Sequence, residues 1–533
     1  MPANESTATA AVAAAPVAGI DVGSRSIRMV VAQVSPDSRL EVLESLERTA
    51  SLGADTFRRG RLAPETMRAA ISILRDYKRL LDTYNVRKVR AVATSAVREA
   101  GNAEAFLDRI LMVTGLEVTV IDPSEESRLT VSAIRRDVGK ALPVDRGDVL
   151  LAQIGGGSTL LTVLRQGQIA ASQSLLLGSI RLQETLATFS EPPERSAQLL
   201  RQQIANVISV NQAALELKRI RVFIAIGPNA RFAAREAGEA LPATTLQRVT
   251  KAGLGRLVRR CGRQTAEQLA RHYGLPFSDA ETLNAGLLIH LALLHETRAK
   301  EMLVSQVSMR DGLLLDLARV VSGKEDPSVW EGVIQSATAV AEKYHADLNH
   351  CRNVAQLAAF LFDQLQADHG LKLRHRLLLR VAGILHEVGG FVSSRSHHKH
   401  SYYLVANSEI FGLTREEILT VALMARYHRR SGPKPSHLEY MAMPRETRMV
   451  INKLAAILRV ADALDRGHAQ QVREIRCDRR EDELVLFVPG VTDLAMERRA
   501  LATKADLFEE IYGMKVRLEE EPASRAGGGC PPA

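Results

Sequence analysis

Two short stretches of this chain carry the residue types that grip phosphate. Residues 19–26 read GIDVGSRS and residues 153–159 read QIGGGST. Glycine lets backbone N–H groups approach an anion closely, and serine hydroxyls add donors. The candidate phosphate ligands are therefore Gly23, Ser24, Arg25 and Ser26 in one loop, and Gly155, Gly156, Gly157, Ser158 and Thr159 in the other. Arg98, in ATSAVREAGN, stands where a strand gives way to a helix, and its guanidinium fork suits phosphate oxygens. Asn102 would follow one turn later on the same face. Phosphoryl chemistry also needs a counter-charge and a group to orient water. Glu126 in DPSEES is a candidate base, with Glu125 beside it; the same run is a good helix start, with Ser124 as cap. Asp21 could help hold Mg²⁺, which is commonly bound by one or two carboxylates together with phosphate oxygens and water. At the matching place in the second loop stands Gln153, which has no charge.

A second group of chemistry-bearing residues lies further along: His350, His386, Glu387, His428 and Asp462. Imidazoles and carboxylates on neighbouring helices are credible ligands for a divalent metal, although each histidine taken singly is more often a core or surface residue.

The elements that must position these residues follow from pattern. Residues 17–46 and 149–178 share one order: strand, small-residue loop, strand, turn, strand. Superposed, Asp21 falls on Gln153 and Ser26 on Ser158. This internal repeat predicts two related α/β domains facing each other, each with a phosphate loop. Strands then alternate with helices, which argues for sheets covered on both faces. From about Asp326 the apolar residues recur every three or four positions, as in RLLLRVAGILHEVGG and INKLAAILRVADALDR, and the pattern becomes almost purely helical. The expected organisation is a flexible tail (1–16), domain I (17–135), domain II (136–322), a helical domain (326–467), a small α+β unit (468–520) and a low-complexity tail (521–533).

Composition narrows the function classes. The chain has 533 residues, too many for a single core, and its net charge of +9 points to an anionic partner. Aromatic residues make up only 4%, which argues against the base-stacking platforms of single-strand binders, and no nucleic-acid reading motif accompanies the charge. Cys261, Cys351, Cys477 and Cys530 form no close pair, so neither a disulfide framework nor a cysteine zinc site is indicated, and a reducing cytoplasm is expected. The Ala-rich start has neither the basic flank of a signal peptide nor the length of a membrane span.

Together, GIDVGSRSIRMVVA, AVATSAVREAGNAEAFL, DPSEESRL, QIGGGSTLL, LGSIRL, IAIGPNARFAA, VSMRDGLLLDL and the later ILHEVG and LRVADALDR, in that order, resemble the exopolyphosphatase and guanosine pentaphosphate phosphatase (Ppx/GppA) family. The resemblance implies two actin-like (ASKHA, ribonuclease H-like) α/β domains followed by an all-helical HD-like domain. It implies attack of water on the terminal phosphoryl group of inorganic polyphosphate, and also of guanosine pentaphosphate, with guanosine tetraphosphate as a further partner. Glu126 stands where the family carries its base. The basic residues Lys372, Arg374, Arg376, Arg380, Arg395, Lys399, Arg426, Arg429, Arg430 and Lys434 would suit a clamp on the distal anion. Homodimerisation rests on the resemblance alone.

This sequence departs from the family pattern. The resemblance implies Asp at Gln153, usually Glu at Leu160 and commonly Asn at Arg25, the two acids serving a divalent cation. Their loss leaves three readings open: a phosphatase in which Arg25 partly replaces the cation, a polyphosphate or alarmone sensor with weakened turnover, or a metal phosphohydrolase working through the HD-like histidines. A second divalent metal would belong to the last of these.

Overall fold

The computed structural model describes residues 15–35, 39–138, 147–188, 191–242, 244–322, 327–430, 432–491 and 493–521. Both tails expected from sequence lie almost wholly outside the described residues, as does Cys530; Ala15 and Pro16, assigned to the first tail, begin a strand. The chain divides into two compact units, Met1–Val329 and Trp330–Ala533.

The first unit holds two sheets built on one plan. In the first lobe, β1 (Ala15–Val22), β2 (Ser26–Val34), β3 (Leu40–Thr49), β4 (Lys88–Ala93) and β5 (Val118–Val120) take the order β3-β2-β1-β4-β5. In the second lobe, β6 (Asp148–Ile154), β7 (Thr159–Arg165), β8 (Gln168–Leu175), β9 (Val222–Ile226), β10 (Gly238–Ala240), β11 (Gln247–Thr250) and β12 (Glu301–Val304) take the order β8-β7-β6-β9-β12-β11-β10. Each lobe starts with an antiparallel meander whose first strand then pairs in parallel with a later strand, β1 with β4 and β6 with β9. This is the duplicated arrangement of the actin-like fold.

Strand periodicity explains why both faces are covered. On β1, Ala18, Ile20 and Val22 face a core shared with Ile71 and Leu74 of the helix Pro64–Thr83. Val17 faces the other way, against Leu314 and Leu317. Those leucines lie on the helix Met309–Ser322, which follows the second lobe in sequence yet covers the sheet of the first. The helix Pro123–Val138 likewise runs through the boundary expected at 135/136. The two lobes therefore exchange helices, which a cut along the sequence does not capture.

In the second unit, the helices Leu348–Gln364, Leu373–Leu385, Arg415–Tyr427 and Arg445–Ala463 surround one core. The strands β13 (Arg476–Arg479), β14 (Glu483–Pro489) and β15 (Lys515–Glu521), expected as a separate unit, add Leu484, Leu486 and Leu518 to that core. Fully buried Arg459 joins the helix Ala495–Lys504 of this segment to the others, donating to the backbone oxygens of Lys504 (2.8 Å) and Arg430 (2.8 Å). A buried guanidinium must satisfy its donors inside the protein, so this link fixes the C-terminal segment to the helices. Among the described residues, Cys261, Cys351 and Cys477 are free thiols, and no helix is long and apolar enough to cross a membrane.

Candidate active site

The two loops turn back by the same hydrogen bond. Gly23 N donates to Ser26 O (3.1 Å), and Gly155 N donates to Ser158 O (2.9 Å). They face one cavity between the lobes of the first unit, lined from the loops by Gly23 to Ser26 and Gly155 to Ser158, and from elsewhere by Asp21, Glu126, Arg28, Arg231 and Arg310. The first residues of three helices, Ser179, Pro228 and Met309, also line it, which adds the positive ends of their dipoles. Gly157 is required by proximity: a Cβ there would lie 2.3 Å from Ser95 Oγ and 2.5 Å from Phe57 Cζ. That contact brings the second loop against the first lobe.

Glu126 sits in the first turn of the helix Pro123–Val138, capped by Asp122 instead of the expected Ser124. Asp122 Oδ1 accepts from Glu125 N (2.9 Å) and from Ser124 Oγ (2.7 Å). Successive residues on this helix point apart, so the adjacent glutamates meet different surroundings. Glu126 reaches the cavity. Glu125 turns into a buried cluster, accepting from Arg90 (2.6 Å) and Arg128 (2.7 Å), while Asp316 pairs with the same two arginines. Burial pushes the Glu126 carboxyl above its ordinary value, with the Arg98 guanidinium pulling the other way.

Arg98 does not line the cavity. Its Nη1 donates to Glu126 Oε1 (2.9 Å) and to Ile121 O (2.5 Å), so it sits behind the carboxylate and orients it. Other expected phosphate ligands also have internal partners. Thr159 is fully buried and donates to Leu177 O, and Ser26 Oγ donates to Glu47 (2.7 Å). Ser24 Oγ and Ser95 Oγ are 3.1 Å apart. Asn102 straps Leu62 through both backbone groups, at 2.9 and 3.0 Å, and takes no place in the cavity. Arg25 lines the cavity but is bridged to Asp279 (2.7 Å).

The sequence reading missed Arg28, Arg231 and Arg310. Arg28 is opposite Asp21 in the β1–β2 register. A charged residue on an otherwise apolar strand beside a phosphate loop was its one available signal. Arg231 and Arg310 each lie in the first turn of a helix whose start reaches the cavity, a placement that only the fold reveals.

The residues present do not make a Mg²⁺ site. Asp21 is the one loop carboxylate; burial pushes it up, and Arg28 Nη1 lies 3.7 Å from its Oδ2. Gln153 Oε1 already accepts from Thr130 (2.6 Å), and Leu160 is buried and apolar. The cavity's other carboxylate, Glu126, is bridged to Arg98 (2.9 Å), so neither lining carboxylate offers a hard cation uncompensated charge.

Residues 30–320 match the model of the Ppx/GppA phosphatase family, and residues 334–510 match that of Ppx/GppA phosphatase, domain III. The chain belongs to the Ppx/GppA family. An exopolyphosphatase from Cytophaga hutchinsonii shares the fold at 22% identity and a TM-score of 0.51, over 58% of this chain and 99% of that one. A Ppx/GppA member from Aquifex aeolicus aligns at 27% identity and a TM-score of 0.48, over 59% of this chain and 100% of that one.

In the second unit of this Ppx/GppA member, His350, His386 and Asp462 bring ligand atoms within 4.8 Å of one another. Nδ1 of His350 is 2.9 Å from Asp465 Oδ2, and Nδ1 of His386 is 2.7 Å from Gly383 O. Both Nε2 atoms are buried without a hydrogen-bond partner and lie 3.6 and 3.8 Å from Asp462 Oδ1. Such an arrangement turns both Nε2 atoms towards a shared point. Asp462 also holds a buried bridge to Lys504, which competes with a metal for its charge. Glu387 groups with His350 and His468, the last missed in the sequence. His428 falls outside both groups, its Nε2 lying 3.1 Å from that of His397. Several residues of the expected basic clamp are neutralised: Arg374 by Glu417 (2.7 Å), Arg376 by Asp363 (2.6 Å) and Arg426 by Glu439 (3.4 Å).

Proposed function

We propose that this chain is a phosphohydrolase that releases orthophosphate from the end of inorganic polyphosphate. The observation that carries this reading is the convergence of both glycine loops and Glu126 on one cavity. In the proposed step, a water oxygen forms a bond to the terminal phosphorus as the bridging P–O bond breaks. Glu126 takes the proton from water, and the shortened chain leaves with the bond's electron pair. Loop N–H groups and the three helix starts stabilise charge on the phosphoryl oxygens. A raised pKa suits Glu126 to this work, since a base is most effective when its pKa lies close to the operating pH. Guanosine pentaphosphate presents the same terminal phosphoryl chemistry and is proposed as a second substrate.

The test is orthophosphate release from long-chain polyphosphate by the purified protein beside Glu126→Gln. Release that vanishes in the variant is expected. Release unchanged in the variant sinks the assignment of Glu126, and binding with no release from either protein selects the sensor reading.

The convergence of the buried Nε2 atoms of His350 and His386 on Asp462 without a hydrogen bond favours one addition: these three residues hold a divalent transition metal in the second unit. There it would act as a Lewis acid or a structural clip. Metal analysis of the purified protein is expected to show one equivalent that is lost in His386→Ala. An equal and negligible content in both proteins leaves the Lys504 bridge as the filling of this cluster.

A further inference from the structure

Four guanidinium groups line the cavity: Arg25, Arg28, Arg231 and Arg310. The lining carboxylates are Asp21 and Glu126, both of which burial pushes towards the neutral form. Arg25 and Arg28 are partly compensated from the cavity's edge, Arg25 by Asp279 (2.7 Å) and Arg28 by Glu47 (3.0 Å). Among the described residues, neither Arg231 nor Arg310 has a carboxylate within ion-pair distance, and Arg310 Nε is buried without a hydrogen-bond partner. Burial first, and then repulsion from Arg28, lowers the proton affinity of both groups. Holding like charges together in a partly desolvated cleft is unfavourable until an anion arrives.

These arginines come from different parts of the fold. Arg25 is in the first loop and Arg28 lies on β2; Arg231 is on the helix Pro228–Ala237 of the second lobe, and Arg310 is on the returning helix Met309–Ser322. An anion held by all of them would bridge the two lobes. Guanidinium is always charged, presents a planar fork to phosphate oxygens and, unlike a bound ion, is not removed by a chelator. The positive charge that a divalent cation would otherwise supply is already built into the chain.

We propose that this cleft binds its phosphoanion without a divalent cation, the charge being supplied by Arg25, Arg28, Arg231 and Arg310. The inference rests on the reading of the cavity as a polyphosphate site and adds how that site is neutralised.

The experiment is calorimetric titration of the full chain with sodium tripolyphosphate, once in EDTA and once in excess Mg²⁺. Binding in EDTA is expected to be at least as tight as in Mg²⁺, because the cation masks the anion. Arg231→Gln and Arg310→Gln are each expected to weaken binding in EDTA by about tenfold or more, the order of a lost charge-assisted bidentate pair. Thermal melts of the ligand-free variants should not fall, since neither arginine gives up an ionic partner. If one does melt early, the Lys variant at that position replaces it and should bind in EDTA, more weakly than the parent. Binding that requires Mg²⁺ overturns the inference and leaves the polyphosphate reading standing. Binding in EDTA that neither substitution weakens also overturns it, since the anion then lies elsewhere. No binding in either buffer removes the underlying reading as well.

Discussion

The two lobes of the first unit place different chemistry at the same register. In the first lobe, Asp21 on β1 is opposite Arg28 on β2; in the second, Gln153 on β6 is opposite Leu160 on β7. Both pairs sit beside a loop closed by a glycine N–H donating to a serine carbonyl. One lobe therefore brings charge to the cavity from its central strands, while the other brings backbone donors and adds Arg231 from a helix. A duplicated scaffold fixes where side chains point but leaves their chemistry free, so the halves of one cleft can specialise.

If the first lobe supplies the base, Glu126→Gln should lower the rate of orthophosphate release by about 100-fold or more, the usual worth of a positioned general base. A loss below about tenfold would end the contrast, because neither lobe would then own the base. Next in size is Glu125→Gln. It removes the carboxylate shared by Arg90 and Arg128 and should cost about 3 kcal/mol in urea unfolding, as expected for a broken buried ion pair. Thr130→Val, which removes the hydroxyl donor to Gln153, should cost about 1 kcal/mol. Equal costs would mean that the helix Pro123–Val138 is held as firmly to the second lobe as to the first.

The second lobe has its own sensitivity to acid. His290 is fully enclosed, with Nδ1 2.8 Å from Gly286 O, and burial lowers its pKa from 6.5 to about 4. The unfolded chain therefore binds the extra proton between those values. The stabilisation is complete above pH 6.5 and is lost as pH falls towards 4, up to about 3 kcal/mol. Urea titrations at pH 7 and pH 5 should show the loss, and His290→Gln should reduce the difference between them. The last comparison is between the loops. Gly157→Ala drives a Cβ into Ser95 and Phe57 and should cost about 1 to 3 kcal/mol by overpacking. At Gly23 the nearest contact is 3.2 Å, to Ser26 O, so Gly23→Ala should cost less. The reverse order would mean that the second loop yields more readily than the first.

The repeat was legible because strand, glycine loop and strand is a local pattern, and its two copies could be laid over each other without knowing the fold. Glu126 was legible only in part: local pattern marks two adjacent carboxylates at a helix start, and the family resemblance singles out Glu126. The roles of Arg98 and Asn102 were not legible. Their residue types suit phosphate, but Arg98 meets Glu126 and Asn102 meets Leu62 only once distant segments pack. The histidines divide in the same way. The order of residues resembling an HD-like domain picked out His350, His386 and Asp462, while the inclusion of His468 and the loss of His428 depended on helix packing.

The sequence by itself determined the duplicated α/β plan, the two loops and the excess of positive charge, because periodicity, glycine placement and composition act over a few residues at a time. Only the tertiary structure decided that Arg28, Arg231 and Arg310 converge on one cavity, that Glu125 leaves it, and that the helix Met309–Ser322 returns to the first lobe. Charges separated by hundreds of residues interact through space, and no local pattern records which of them the folded chain brings together.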